Sequence, residues 1–157
     1  PLNLYSEIIK ENTPKVLSLL KTQLNPDKFE HLVKFYFERT GATEVKIPAK
    51  NEKDKEGDAD IMAVFESLRT IIYVQVKFHQ VESETKAWAV EQIKDYRKNK
   101  EEMDDGYTKI AWVISSAQGY TEECIKMARE EKVQLIDGLG FAEMLLSVGI
   151  LDLNKVL

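Results

Sequence analysis

Asp60 heads the apolar stretch "DIMAVF", and Gln75 and Lys77 lie inside a second one, "TIIYVQVKF". If both stretches are strands, alternation puts Ile72, Val74, Val76 and Phe78 on one face. Tyr73, Gln75, Lys77 and His79 then share the other. An amide and an ammonium in so apolar a strand need partners, because an unpaired buried charge is costly. A tight connection centred between Ser67 and Leu68 sets Asp60 opposite Gln75 and Asp58 near Lys77, with facing Cβ atoms about 4.5–5.5 Å apart. An acid, an amide and an ammonium brought together suit phosphodiester hydrolysis. A carboxylate holds a hard divalent cation such as Mg²⁺, which polarises a phosphoryl oxygen, and a lysine steadies the charge that develops on phosphorus. The plainer alternative is an Asp–Lys ion pair on a solvated sheet face.

Other residues bear two readings. Gln92 and Tyr96 are one helical turn apart and share a face, so they serve either the site or an ordinary helix with Tyr96 in the core. His79 follows Lys77 on its face and either meets phosphate or packs. His31 has no partner at metal-ligand spacing and reads as structural. Two histidines in the whole chain exclude His-rich nuclease centres. Trp88 and Trp112 read most simply as core residues. The charged run over residues 50–56 reads as a solvated loop, with contact to DNA as the alternative.

Helix and strand signals run the length of the chain. Thr13-Pro14 and Asn25-Pro26 each place a capping side chain before a proline, and so predict two helix starts. The second helix should run over about residues 26–40, stopped by Gly41, with Phe29, Leu32, Val33 and Tyr36 as its buried stripe. A short strand near residues 43–47, the loop "PAKNEKDKEG" and the two strands already named come next. A helix over about residues 86–100 then carries Ala87, Val90, Ile93 and Tyr96 in period. The strand "KIAWVISS", a helix near residues 121–131, the strand "VQLID" and a last helix near residues 141–146 finish the chain. This order predicts an α/β domain, a mixed β-sheet flanked by helices. The boundaries expected are an N-terminal helical extension over residues 1–25, a core over 26–147 and a tail over 148–157.

Composition narrows the class. The 157 residues suit one domain with one core. No apolar run reaches the roughly 20 residues of a membrane span, and no leader resembles a signal peptide. The lone cysteine, Cys124, can form no internal disulfide, so a cytoplasmic location is expected. The first residue, Pro1, fits a domain excised from a longer protein. With 22 basic against 27 acidic residues the net charge is −5. The isolated domain should therefore bind DNA weakly and in a salt-sensitive way. Efficient action should call for a homodimer or an attached recognition domain.

The motifs together resemble the Mrr-like restriction endonuclease branch of the PD-(D/E)xK nuclease superfamily, which pairs "D-G-G-[IV]-D" with a "Q-x-K" strand. "EGDADI" matches the first motif with Asp60 on its last aspartate, although Glu56 and Asp58 stand where the motif has Asp and Gly. "VQVKFH" matches the second, with Gln75 where most of the superfamily has glutamate. "FEHLVKFYFERTGA" resembles the opening helix, mapping its glutamate to Glu30, and "ISSAQGYTEECIKMAREEKVQLIDG" resembles the closing segment. The resemblance implies a restriction-endonuclease-like αβββαβ core with extra terminal helices. It implies a DNA endonuclease using Mg²⁺, or Mn²⁺ in its place, in defence against foreign DNA that could depend on base modification. Asp60 would be the main metal ligand, joined by the Gln75 amide oxygen and the Val76 carbonyl. Lys77 would act on water or phosphate, and Glu30 would add a carboxylate directly or through water. The Gln92–Tyr96 pair resembles a further motif of RecB-like nucleases that supports the active site or DNA. Two rivals stay open: a junction-resolving or repair nuclease on the same fold, and a non-catalytic DNA-binding or assembly module.

Overall fold

The computed structural model describes residues 4–49, 57–150 and 152–155, so the charged run at 50–56 lies outside the described residues. A five-stranded mixed sheet forms the centre, in the order β1-β2-β3-β5-β7. Its strands are β1 (Glu44–Lys46), β2 (Ile61–Phe65), β3 (Thr70–Lys77), β5 (Thr108–Ser115) and β7 (Val133–Ile136). The first three pair antiparallel, and β3, β5 and β7 run parallel. A two-stranded parallel ribbon joins β4 (Glu84–Thr85) to β6 (Gly119–Tyr120). Neither of these two-residue strands is foreseen by the hydrophobic pattern.

Helices cover both faces. On one side, α1 (Leu4–Gln23), α2 (Pro26–Arg39) and α5 (Gly138–Ser147) enclose a core that includes Leu20, Phe29, Phe37, Val74, Ile114 and Phe141. On the other, α3 (Trp88–Glu101) and α4 (Glu122–Glu131) pack over Tyr73, Val90, Ile93, Ala111, Val113 and Cys124. Alternation along β3 feeds both layers. Ile72, Val74, Val76 and Phe78 enter the first core, and Ile71 and Tyr73 enter the second. The fold is the mixed, helix-flanked α/β sheet expected. Among the described residues no helix is long and apolar enough to cross a membrane.

Local chemistry accounts for α2. The Asn25 side chain accepts the Lys28 N–H at 2.8 Å, and Pro26 fills the first turn. At the other end Gly41 takes φ +93°, and the Ala42 N–H closes back on the Phe37 carbonyl at 3.2 Å. The expectation for Thr13-Pro14 is overturned, because Pro14 lies inside α1 and starts nothing. Thr13 is buried and donates its hydroxyl to the Ile9 carbonyl one turn back, at 2.7 Å. Proline removes one backbone bond from this long helix, and packing of α1 against α5 holds it together regardless.

Candidate active site

Asp60 immediately precedes β2, and its N–H donates to the Val74 carbonyl at 2.9 Å, continuing the β2–β3 ladder by one residue. The ladder pairs Ile61 with Val74 and Phe65 with Thr70, the register expected from a connection centred at Ser67 and Leu68. Asp60 is therefore across from Gln75. Its carboxylate Oδ2 accepts the Val76 N–H at 2.7 Å, which fixes the acid against the strand that carries Gln75 and Lys77.

A close approach behind Asp60 sets this position. Gly57 has φ +73°, and a Cβ there would sit 2.3 Å from the Gln92 carbonyl oxygen and 2.6 Å from the Tyr96 nitrogen. Only glycine lets the chain lie so tightly on α3. The Asp58 N–H then donates to the Gln92 carbonyl at 3.2 Å. Asp58, of unclear role in the sequence, is half-buried beside α3.

Gln75 is only 4% exposed. Its Oε1 is buried and has no hydrogen-bond partner among the described residues. A buried amide acceptor without a partner costs about 1–3 kcal/mol, a cost that a bound cation or water would remove. Asp60 beside it is 8% exposed. The side-chain acceptors of Asp60 and Gln75 are oxygens, the ligand type of hard divalent cations. Among the described residues no three His, Cys, Asp or Glu side chains gather as a metal cluster. The groups that could hold a cation here are then one carboxylate, one amide oxygen and backbone carbonyls. Glu30 is half-buried on α2, the helix that covers the other sheet face.

Lys77 ends β3, half-buried, with its Nζ 4.0 Å from the centre of the Trp88 ring. Trp88 is not a core residue: it is 55% exposed at the start of α3, a correction to its expected place. The stripe of Ala87, Val90, Ile93 and Tyr96 is buried as the period requires, and Trp88 lies off that stripe. Trp112 is partly buried and packs on Phe37, with ring centres 5.6 Å apart.

His79 is held within a hydroxyl network that sequence reasoning missed. Its Nδ1 pairs with Ser83 Oγ at 2.7 Å and its Nε2 with Thr85 Oγ1 at 3.3 Å. Thr85 in turn pairs with the fully buried Ser115 at 2.8 Å. Ser115 is the register neighbour of Lys77 across β3 and β5. Burial, and then the Lys77 charge, lower the His79 pKa, which favours the neutral ring. The available signal was the pair Ser115-Ser116, polar at the end of an otherwise apolar strand. His31 is exposed, with Nδ1 2.7 Å from the Asp27 carbonyl.

Gln92 is half-buried on α3, whereas Tyr96 is buried and meets Tyr73 edge-on at 5.2 Å. Burial, and then the nearby Asp58 charge, raise the Tyr96 pKa. The ring thus packs in the second core. Tyr96→Ala should cost about 3–5 kcal/mol, as for a buried aromatic, while Tyr96→Phe should cost less than about 1.5 kcal/mol and retain cleavage. Denaturant unfolding and plasmid cleavage measure both. Activity lost by Tyr96→Phe at unchanged stability would instead give the hydroxyl a role on DNA.

The family model of the Mrr catalytic domain, described as a restriction endonuclease, matches residues 21–145. The chain belongs to this family. As a restriction-endonuclease domain it is a nuclease domain, and α1 lies almost wholly ahead of the matched region. Among solved structures this Mrr-type domain is similar to a protein of unknown function, AF1548, at 21% identity and a TM-score of 0.59. That match covers 80% of this chain and 67% of the other. It is also similar to the MspJI restriction endonuclease, solved in complex with a 27-mer oligonucleotide, at 16% identity and a TM-score of 0.52. There the match covers 99% of this chain and 35% of MspJI. At such identities the likeness is one of fold. No curated protein sequence matches the chain.

Proposed function

We propose that this Mrr-type domain is an endodeoxyribonuclease that hydrolyses DNA phosphodiester bonds with Mg²⁺, Mn²⁺ serving in its place. The observation that carries the reading is the stranded, buried Gln75 Oε1 beside Asp60. Asp60, the Gln75 amide oxygen and the Val76 carbonyl would hold the cation, with Glu30 as an outer carboxylate acting through water. When bound, the metal would supply Lewis-acid polarisation of the phosphoryl oxygen and a more acidic water.

The chain's own residues do the rest. The Asp60 carboxylate, held by the Val76 N–H at 2.7 Å, is fixed against the strand that carries Lys77. Lys77 places an ammonium where negative charge grows on the phosphoryl oxygens, a contact strongest in the transition state. Gln92, half-exposed on α3, and His79, at the loop beyond β3, are the proposed DNA contacts. Restriction of foreign DNA is the role proposed, through a homodimer or an attached recognition domain that offsets the net charge of −5. Incubation of unmethylated and methylated supercoiled plasmid with Mg²⁺, and with chelator instead, tests it. Nicked or linear product from either plasmid, only with metal, is expected; intact plasmid under every condition sinks the proposal.

Gln75→Glu separates a ligand from a bystander. A carboxylate binds a hard cation better than an amide oxygen, so the variant should bind Mn²⁺ more tightly in calorimetric titration. Unchanged or weaker binding would remove Gln75 from the ligand set.

A further inference from the structure

Single exposed aromatic side chains are ordinary on a protein surface, but Trp88 differs in what lies against it. Lys77 Nζ stands 4.0 Å from the ring centre, within the range where the negative face of an indole attracts a cation. The backbone beneath the ring is anchored. Ala87, Ala89 and Val90 on either side are all buried, and the Ala89 N–H closes on the Lys86 carbonyl at 3.2 Å. Just upstream, Thr85 lies in the β4–β6 ribbon and pairs with Ser115 at 2.8 Å. Ser115 is the strand neighbour of Lys77. The segment that carries the indole and the strand that carries the ammonium thus both meet Ser115, one through its hydroxyl and the other through the backbone ladder.

We infer that Trp88 is a positioning residue for Lys77, holding the ammonium in place before DNA arrives. The inference rests on the nuclease reading above. A lysine is a point charge on a flexible four-carbon stem, and a misplaced charge gives little help to a transition state that forms at one location. The indole face restricts that stem. It offers no carboxylate or amide to take up the N–H donors that phosphate would need. Its effect should therefore fall on turnover and leave DNA binding nearly untouched.

The test is steady-state plasmid cleavage with Mg²⁺ by the full chain and by Trp88→Phe, Trp88→Leu and Trp88→Ala. Loss of the ring in Trp88→Leu and Trp88→Ala should lower kcat about tenfold with KM within about twofold. Trp88→Phe, which keeps an aromatic face, should recover most of the rate. Leucine keeps apolar bulk without a π-face, so it separates positioning from simple packing even if Trp88→Ala fails to fold. A Trp88→Leu protein that cleaves like wild type overturns the inference, as does a loss carried by KM, which would make the ring a DNA contact. Absence of cleavage by the wild-type chain overturns the nuclease reading itself and this role with it.

Discussion

Lys77→Ala should lower plasmid cleavage by about 10²–10³-fold, the usual loss when one preorganised charge or donor at a transition state is removed. The fold should survive, because Lys77 is half-buried at the end of β3 and the apolar layer of Ile72, Val74 and Val76 points the other way. A thermal midpoint close to wild type is expected. Lys77→Arg should restore only part of the rate: it keeps the charge but replaces a compact ammonium with a wider planar fork. Undiminished cleavage by purified Lys77→Ala protein would remove this lysine from the chemistry.

Asp60 carries two duties that a pair of variants can separate. Its carboxylate is the one full negative charge in the proposed ligand set, and Oδ2 also accepts the Val76 N–H at 2.7 Å. Asp60→Asn keeps an acceptor for that N–H and loses the charge, whereas Asp60→Ala loses both. Both should depress cleavage by orders of magnitude. Asp60→Ala should in addition cost about 1–3 kcal/mol, because a part-buried N–H is left without a partner. Denaturant unfolding of both proteins checks the difference. Equal stability loss in the two would show that charge, and not the backbone bond, anchors Asp60.

Much of this geometry is legible in the amino-acid pattern, because local rules and tertiary packing agree there. The period-two alternation of "TIIYVQVKF" sorts β3 onto its two faces, and a short connection fixes its register with β2, so Asp60 and Gln75 meet. Asn25, Pro26 and Gly41 bracket α2 by capping chemistry alone. Thr13-Pro14 obeys the same rule and misleads, since packing on α5 carries the helix through the proline. Trp88 misleads in another way. Size suggests core, yet its neighbours Ala87, Val90 and Ile93 already define the buried stripe, and the indole falls outside it. The docking of Gly57 on Gln92 and Tyr96, and the chain from His79 through Thr85 to Ser115, join residues distant in sequence. No period or spacing announces such contacts. The stranded oxygen of Gln75 is likewise visible only once its surroundings are built.

The proposed role of Asp60 and its neighbours is that of a metal-dependent centre for cutting DNA. One measurement meets it head-on: the rate of supercoiled plasmid cleavage against Mg²⁺ concentration, for wild type and Asp60→Asn under identical conditions. The wild-type rate should rise from zero in chelator and saturate with metal, and the Asp60→Asn rate should be lower by about 10² or more throughout. Cleavage that persists in chelator, or an Asp60→Asn protein that follows the wild-type curve, would contradict it.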